Sequence, residues 1–409
     1  MKIGYLMQKG EEIRKPPYNG PANHVRHIVQ ELERLGHTVW ILFRMDGGLW
    51  LSEGLQQFRM IQAQRMDQSA LRLVERVVRR SQSALRLPYF AYFDSLRFAL
   101  ACQQELSDCD VFLERMSWMM SGGTWAARRL RIPLVLEYNG DPLADLEAKG
   151  IEPRGVQRRI AMRAMKTVIR SADRIVATGE GWRDSCIQKW GARPDQMVVI
   201  ENGTDLIHIL SRNQLRCFQP EDQKPRRRTL VYLGGFYAWH GISVLLDVFV
   251  EVIQHTPNVE LLLIGAGPGE SEARSLAASN GLQDHVRFLG QMSAEQYAPI
   301  LAQADLGLSP YCGWPEYSGL KIFDYKAAGL AIIASGEDGH PVTLKHGQTG
   351  WIVPPCDRQA LAEGVCYLLS HPDLCRQMGQ QARIEAEELH GWEHTARRME
   401  EVLLSLAKQ

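Results

Sequence analysis

The 409-residue sequence lacks an excess of either charge. Its 47 Lys and Arg balance 47 Asp and Glu, so the overall field gives no reason to expect nucleic acid as a partner. Its eight cysteines form no Cys-x-x-Cys pair and no zinc-type cluster with histidine, which removes a structural metal site. Reduced thiols and a cytoplasmic setting are the expectation. No stretch approaches the roughly 18 to 20 uncharged apolar residues of a membrane span, and the apolar run at Lys2 to Met7 is too short for a secretion signal. Contact with a membrane surface stays open. There is no Gly-x4-Gly-Lys-Ser/Thr run and no Gly-x-Ser-x-Gly elbow, which weakens the cases for a nucleoside triphosphatase and an α/β-hydrolase. What remains is 45% hydrophobic and 23% charged, a composition of globular domains, and the length suits two of them.

Strand and helix patterns alternate along the chain. Lys2 to Met7 reads as a strand; a loop with Pro16, Pro17, Asn19, Gly20 and Pro21 then leads into a helical pattern of Val25, Ile28, Val29, Leu32 and Leu35, which Gly36 ends. Further strands are expected at His37 to Phe43, Val111 to Leu113, Pro133 to Tyr138, Arg174 to Thr178 and Met197 to Ile200. At Leu230 to Leu233 the pattern restarts: Gly234 and Gly235 turn the chain, and Ile242, Leu245, Leu246, Phe249 and Ile253 mark a helix face. Strands recur at Val259 to Ile264, Val286 to Leu289, Leu306 to Leu308 and Ala331 to Ala334, and Ser293 with Gln296 forms a capping box. Such alternation predicts parallel sheets covered on both faces. The expected division is a first domain over 1–205, a second over 206–390, and a C-terminal helix over 391–409 that crosses back, with Gln219 to Thr229 as an exposed linker. Ligands of open parallel sheets bind beyond the carboxyl ends of the strands, so the loops there carry the candidate sites.

The most informative stretch runs from Pro310 to Gly329, Pro-Tyr-Cys-Gly-Trp-Pro-Glu-Tyr-Ser-Gly-Leu-Lys-Ile-Phe-Asp-Tyr-Lys-Ala-Ala-Gly. It follows a strand and becomes a helix that Ser318 can cap and Gly329 can end. The amides of Gly319, Leu320 and Lys321 lack partners inside that helix and sit at the positive end of its dipole, an anion site in the making. Lys321 and Asp324, three apart, share a face, the one suited to a phosphate and the other to sugar hydroxyls. A capped surface helix with an ion pair is the plainer reading of the same spacing.

With its Glu316-x7-Asp324 pair, Gly319, Lys321 and Ala327-Ala328-Gly329, the stretch resembles the signature of the family 4 glycosyltransferases, retaining enzymes of the GT-B fold. The resemblance covers nearly the whole chain. Residues 234–241, Gly-Gly-Phe-Tyr-Ala-Trp-His-Gly, look like the family's first phosphate loop, and Gly265-Ala-Gly-Pro-Gly269 like its second glycine loop. Gly290-Gln-Met292 stands where relatives contact the base, Ile200-Glu-Asn-Gly-Thr-Asp205 resembles the passage out of the acceptor domain, and Val135-Leu-Glu-Tyr-Asn-Gly-Asp141 the acceptor-domain strand near the transferred sugar. The resemblance implies α/β architecture with two doubly wound Rossmann-like domains facing across a cleft, and transfer of a hexose-type sugar from a UDP- or GDP-linked donor to the hydroxyl of a glycan, lipid-linked or small-molecule acceptor. It implies no cofactor and no bound metal. Glu316 would contact the transferred sugar. Asp324 would hold the ribose; Gly234, Gly235, Gly265, Met292, Tyr317, Ser318, Gly319 and Leu320 would complete the donor site. Asn19, Gly20, Glu137, Asn139 and Asp141 are the acceptor-side candidates, although loops and strand ends use such residues for turns as well.

Three positions depart from the family's pattern. Gly235 and His240 stand where many relatives carry Arg and Lys, and the second signature carboxylate is Asp instead of Glu. Positive charge at the diphosphate then rests on Lys321, the helix amides and a protonated His240. A nucleotide-sugar epimerase or glycan phosphorylase on the same scaffold, and a catalytically inactive sugar-nucleotide-binding relative, are the alternatives. Closure of the two domains would exclude water. Residues 72–97 interleave Arg72, Arg76, Arg79, Arg80, Arg86 and Arg97 with Leu73, Val77, Val78, Leu85, Tyr89, Phe90, Tyr92 and Phe93. That pattern fits either a helix docked on anionic lipid, a peripheral membrane contact, or a solvated helix over the core.

Overall fold

The computed structural model describes residues 1–16, 18–62, 69–84, 92–148, 150–206, 227–312, 320–336 and 343–407. Glu316, Tyr317, Ser318 and Gly319, residues 85–91 with Arg86, the linker up to Arg226, Pro17 and Cys217 lie outside them. The chain divides into two compact units: residues 1–201 with 395–409, and residues 202–394.

The first unit holds an eight-stranded sheet in the order β4-β3-β2-β1-β5-β6-β7-β8. Its strands are β1 Lys2–Met7, β2 Thr38–Met45, β3 Gly48–Glu53, β4 Gln57–Ile61, β5 Val111–Arg115, β6 Leu134–Tyr138, β7 Arg174–Ala177 and β8 Met197–Val199. The helices are α1 Gly20–Arg34, α2 Ser69–Ala84, α3 Tyr92–Glu105, α4 Gly122–Leu130, α5 Pro142–Ala148, α6 Gly155–Arg170 and α7 Glu180–Ser185. Helix α1 begins where Asn19 Oδ1 accepts the Ala22 amide, and Val25, Ile28, Val29 and Leu32 are buried at helix spacing. Gly36, at φ +88°, takes the left-handed conformation that ends it. The expectation of a purely parallel sheet needs correction here: β3 pairs antiparallel with β2 and with β4. The cause is local. Asp46 and Gly47, at φ +52° and +74°, make the mirror-image turn that joins adjacent antiparallel strands, a short Asp-Gly signal.

The second unit holds a six-stranded sheet in the order β11-β10-β9-β12-β13-β14, every neighbouring pair parallel. The strands are β9 Arg228–Leu233, β10 Val259–Ile264, β11 Val286–Gly290, β12 Leu306–Ser309, β13 Ala331–Ser335 and β14 Trp351–Val353. The helices are α8 Ile242–His255, α9 Glu270–Ser279, α10 Ala294–Leu301, α11 Leu320–Ala327, α12 Arg358–Ser370 and α13 Pro372–Leu389; the C-terminal helix α14, Trp392–Ala407, belongs to the first unit from Thr395 onward. One face of the sheet packs Leu230, Leu261, Leu263, Leu306 and Leu308 under α8 and α12; the other packs Val231, Leu262, Ile264 and Ile332 under α10 and α11. The Ser293–Gln296 capping box opens α10. Arg228 and Thr229, expected in an exposed linker, instead start β9: the Thr229 amide and the Arg228 guanidinium are both held by Asp305. Cys312 and Cys356 lie side by side, their Cα atoms 5.0 Å apart. Cys102, Cys109, Cys186, Cys366 and Cys375 are free. Among the described residues, no helix is long and apolar enough to cross a membrane.

Candidate active site

In the second unit the strand order reverses between β9 and β12, and open α/β sheets bind ligands beyond such a reversal. Two glycine loops leave the sheet there. After β9, Gly234 adopts φ +146°, and after β10, Gly265 adopts φ +135°. A Cβ on Gly265 would run into the Gly234 carbonyl, and one on Gly267 would lie 2.6 Å from the Phe236 amide. The loops are laced through their backbones: the Gly234 amide donates to Ile264, the Phe236 amide to Ala266 and the Gly269 amide to Phe236. Glycine is required at positions 265 and 267 because a Cβ there would meet backbone atoms.

Lys321, in the first turn of α11, reaches this corner. A Cβ on Gly234 would lie 3.1 Å from its Nζ. The ammonium sits 4.4 Å from the ring centre of Tyr232 and 4.8 Å from that of Tyr311, residues near the ends of β9 and β12, and Nζ is 3.4 Å from the Tyr232 hydroxyl. The aromatic faces attract the cation but do not replace water. Lys321 is 7% exposed, and burial pulls its pKa down from 10.5 to about 7. Among the described residues no carboxylate lies within ion-pair distance, so the ion pair with Asp324 of the plainer reading does not form.

His240 lies in the same corner, but the expectation of a protonated His240 is corrected. Burial, followed by the charge of Lys321, lowers its pKa from 6.5 to about 3. Nδ1–H donates to the Gly235 carbonyl at 2.5 Å, and the ring packs edge-on against Tyr311. Neutral His240 therefore braces the loop, and Lys321 is the cation the corner holds. Gly235 lies against Tyr237, where a Cβ would come within 2.6 Å of the ring. Gly290, at φ +75°, accepts the Gly265 amide, and Met292 packs on the α11 side of the core.

Asp324, one turn beyond Lys321, is 9% exposed. Its Oδ1 accepts from the Thr204 hydroxyl at 2.6 Å and its Oδ2 from the Tyr297 hydroxyl at 2.9 Å. Burial raises its pKa from 3.8 to about 7 against the opposing effect of those two bonds. Tyr232, Tyr311, Thr204 and Tyr297 were not singled out from the sequence. Thr204 and Tyr311 stand inside quoted motifs, but nothing in the spacing marks them as partners of Lys321 or Asp324.

The acceptor-side candidates all lie in the first unit, and most have structural partners. Asn19 caps α1 and Gly20 is its first residue. Glu137, on β6, accepts from the Tyr5 hydroxyl and lies 2.9 Å from His24 Nε2. Burial acts to raise its pKa, but His24, Tyr5 and Arg115 outweigh it and hold the carboxyl below its ordinary value. Asp141 accepts the Leu143 amide and pairs with Lys189 at 2.5 Å. Asn139 differs: among the described residues, neither buried amide atom of its side chain has a hydrogen-bond partner. Beyond β1 and β5, where this sheet also reverses, Gln8 donates to the buried Glu114, and burial raises that carboxyl from 4.5 to about 7. The only Asp-x-Asp triplet, Asp108-Cys-Asp110, lies at the opposite end of these strands, bound to the side chain and amide of Lys2. Among the described residues no cluster of His, Cys, Asp or Glu could hold a metal ion.

Paired glycine loops, an ammonium beside them and a carboxylate one helical turn away thus come together where the second sheet reverses its strand order. Two family models match the chain: one described as a glycosyl transferase 4-like domain over residues 19–203, the other as glycosyl transferases group 1 over residues 215–385. The chain belongs to this glycosyltransferase family. It is 27% identical over 291 residues to the D-inositol 3-phosphate glycosyltransferase of Rhodococcus opacus, covering 68% of this chain and 64% of that protein. It is 32% identical over 212 residues to the phosphatidyl-myo-inositol mannosyltransferase of Mycobacterium leprae, covering 51% and 54%. The chain thus spans between about half and two thirds of the length of these curated relatives. Among solved structures, sucrose-phosphate synthase from Thermosynechococcus elongatus superposes with TM-score 0.72 at 20% identity, covering 99% and 98% of the two chains. Anabaena HepE in complex with UDP-glucose superposes with TM-score 0.69 at 18% identity, covering 99% and 100%. These likenesses establish the GT-B fold.

Proposed function

We propose that this chain transfers a hexose from a nucleoside diphosphate sugar to an acceptor hydroxyl with retention of anomeric configuration. The observation that carries the reading is Lys321 Nζ, buried between Tyr232 and Tyr311 and lodged against Gly234 with no carboxylate beside it among the described residues. A buried ammonium without a counter-ion is costly, and an incoming diphosphate supplies the missing charge. In the reaction the bond between the anomeric carbon and the β-phosphate oxygen breaks, and the acceptor oxygen bonds to the same carbon from the same face. The acceptor proton passes to an oxygen of the departing phosphate. Negative charge grows on that phosphate, and Lys321 with the Leu320 and Lys321 amides stabilises it more in the transition state than in the bound donor. Asp324 holds the ribose, and Glu316, by family resemblance, contacts the transferred sugar. On the acceptor side, the unpartnered Asn139 amide is the group best placed by its chemistry to take a hydroxyl.

The named relatives act on inositol-containing acceptors, so the test panel pairs UDP- and GDP-sugars with inositol phosphate, phosphatidylinositol and simple glycans. Nucleotide release that depends on acceptor, with a retained linkage by NMR, supports the reading. Epimerised donor, phosphate-dependent cleavage, or binding without turnover would replace it with the epimerase, phosphorylase or inactive alternatives.

A second reading concerns location. In α2, Leu73, Val74 and Val77 are more than half exposed, beside exposed Arg76 and Arg80. The overall neutrality also conceals an asymmetry: the first unit carries 33 Lys and Arg against 25 Asp and Glu, the second 14 against 22. An apolar, basic helix on a positively charged unit suits peripheral binding to anionic lipid over a solvated helix. Flotation with phosphatidylserine vesicles, reduced by Leu73→Ser with Val77→Ser and by salt, supports it; protein left in the soluble fraction contradicts it.

A further inference from the structure

Asp324 is held from two directions by side chains outside its own helix. Thr204 lies where the chain enters the second unit. Its amide donates to the His390 carbonyl at 2.8 Å, and its hydroxyl oxygen accepts the Leu206 amide at 3.1 Å. Gly203, next to it, packs so closely that a Cβ would lie 2.7 Å from the backbone of Trp392. The Thr204 backbone is therefore fixed, one acceptor site of its hydroxyl is taken, and its single proton points to Asp324 Oδ1. Tyr297 comes from α10. Its buried phenol is kept protonated, with a pKa pushed upward by burial and then by Asp324, so it also acts only as a donor to the carboxylate.

The two donors engage different carboxylate oxygens, which fixes both χ angles of Asp324 and leaves each oxygen a further lone pair. Two spare acceptor sites on one planar group match the two adjacent hydroxyls of a ribose. The aspartate is one methylene shorter than the glutamate of the family pattern, so it has less reach, and its aim depends on what holds it.

We propose that Thr204 and Tyr297 are positioning residues that aim the Asp324 carboxylate at the ribose hydroxyls, so that preference for ribonucleotide over deoxyribonucleotide donors is set by these three residues together. This rests on the reading of Asp324 as the ribose-holding group. The mechanism is preorganisation: a carboxylate already fixed loses little freedom when the diol binds, whereas a free one must be ordered at that moment.

The test is calorimetry on the full chain with UDP and GDP and with their 2′-deoxy and 3′-deoxy counterparts. The quantity compared is the ratio of dissociation constants, deoxy over ribo. For the wild type a ratio of about 10 or more is expected, the usual worth of a hydrogen bond to a charged group. Thr204→Val and Tyr297→Phe, close to isosteric, should each bring the ratio down by about 3-fold or more, while Thr204→Ser, which restores the hydroxyl, keeps it. Donor KM should rise in the Val and Phe variants with a smaller change in kcat, and circular dichroism reports whether each is folded. If either replacement unfolds the chain, the Thr204→Ser and remaining variant carry the comparison. A ratio unchanged in both Thr204→Val and Tyr297→Phe, but lost in Asp324→Ala, overturns the positioning proposal and leaves the ribose reading standing. A ratio unchanged in Asp324→Ala overturns the ribose reading, and the proposal with it.

Discussion

Replacing Lys321 with Met separates what this residue does for the reaction from what it does for the fold. Methionine keeps most of the volume and packs well against the rings of Tyr232 and Tyr311, but it carries no charge. In the folded chain the ammonium pKa falls from 10.5 to about 7. A group depressed in this way opposes folding when charged: the penalty is full below pH 7 and fades as the pH rises toward 10.5, where both states are neutral. Its ceiling is about 5 kcal/mol, and relaxation brings the expected gain from Lys321→Met to about 1 to 4 kcal/mol. Denaturant unfolding should therefore find the variant more stable than wild type, by more at pH 6 than at pH 9. Initial transfer rates should fall by about 10² to 10³, the usual cost of one electrostatic donor at a developing anion. Equal activity would refute the leaving-group role. Equal destabilisation at both pH values would mean that Lys321 serves as packing, with no strained charge.

Three other outcomes follow from the same geometry. Gly234→Ala puts a methyl 3.1 Å from Lys321 Nζ at a φ of +146°, so donor KM should rise by about 10-fold or more with the fold retained, and an unchanged KM would place the diphosphate elsewhere. Donor affinity should peak near pH 7: Lys321 loses charge above its pKa of about 7, Asp324 loses its carboxylate below about 7, and a diphosphate diester keeps its charge throughout. Calorimetry giving a flat profile between pH 5 and pH 9 would contradict that pairing. Glu114, raised from 4.5 to about 7, favours folding most below pH 4.5, and that contribution is lost as the pH climbs through 7. Glu114→Gln should thus be more stable than wild type at pH 8 and no more stable at pH 4, and unfolding curves showing the reverse would refute the burial argument.

Much of this architecture is legible in the sequence because its strands are short apolar runs closed by glycine. Lys2–Met7 and Val259–Ile264 coincide with the runs that mark them, and Gly36, Gly234 and Gly265 turn the chain where expected. The β3–β4 pair was missed because Gly48–Glu53 and Gln57–Ile61 are brief and partly polar, and the Asp46-Gly47 turn carries the signal instead. The site is harder to read. Lys321 and Asp324 share a helix and a spacing that suggests an ion pair, yet each turns to partners from other elements: Lys321 to Tyr232 and Tyr311, Asp324 to Thr204 and Tyr297. Side-chain chemistry likewise gave His240 a charge that its burial forbids. Burial and the company of distant residues fix the protonation states here, and neither is local in the sequence.

The central claim, that Lys321 receives the leaving diphosphate, is tested most directly by a crystal structure with a bound nucleoside diphosphate. The account predicts a β-phosphate oxygen within about 2.7 to 3.2 Å of Lys321 Nζ, beside the Gly234–Gly235 backbone. A diphosphate bound away from that corner, with the ammonium still enclosed by Tyr232 and Tyr311, would contradict it.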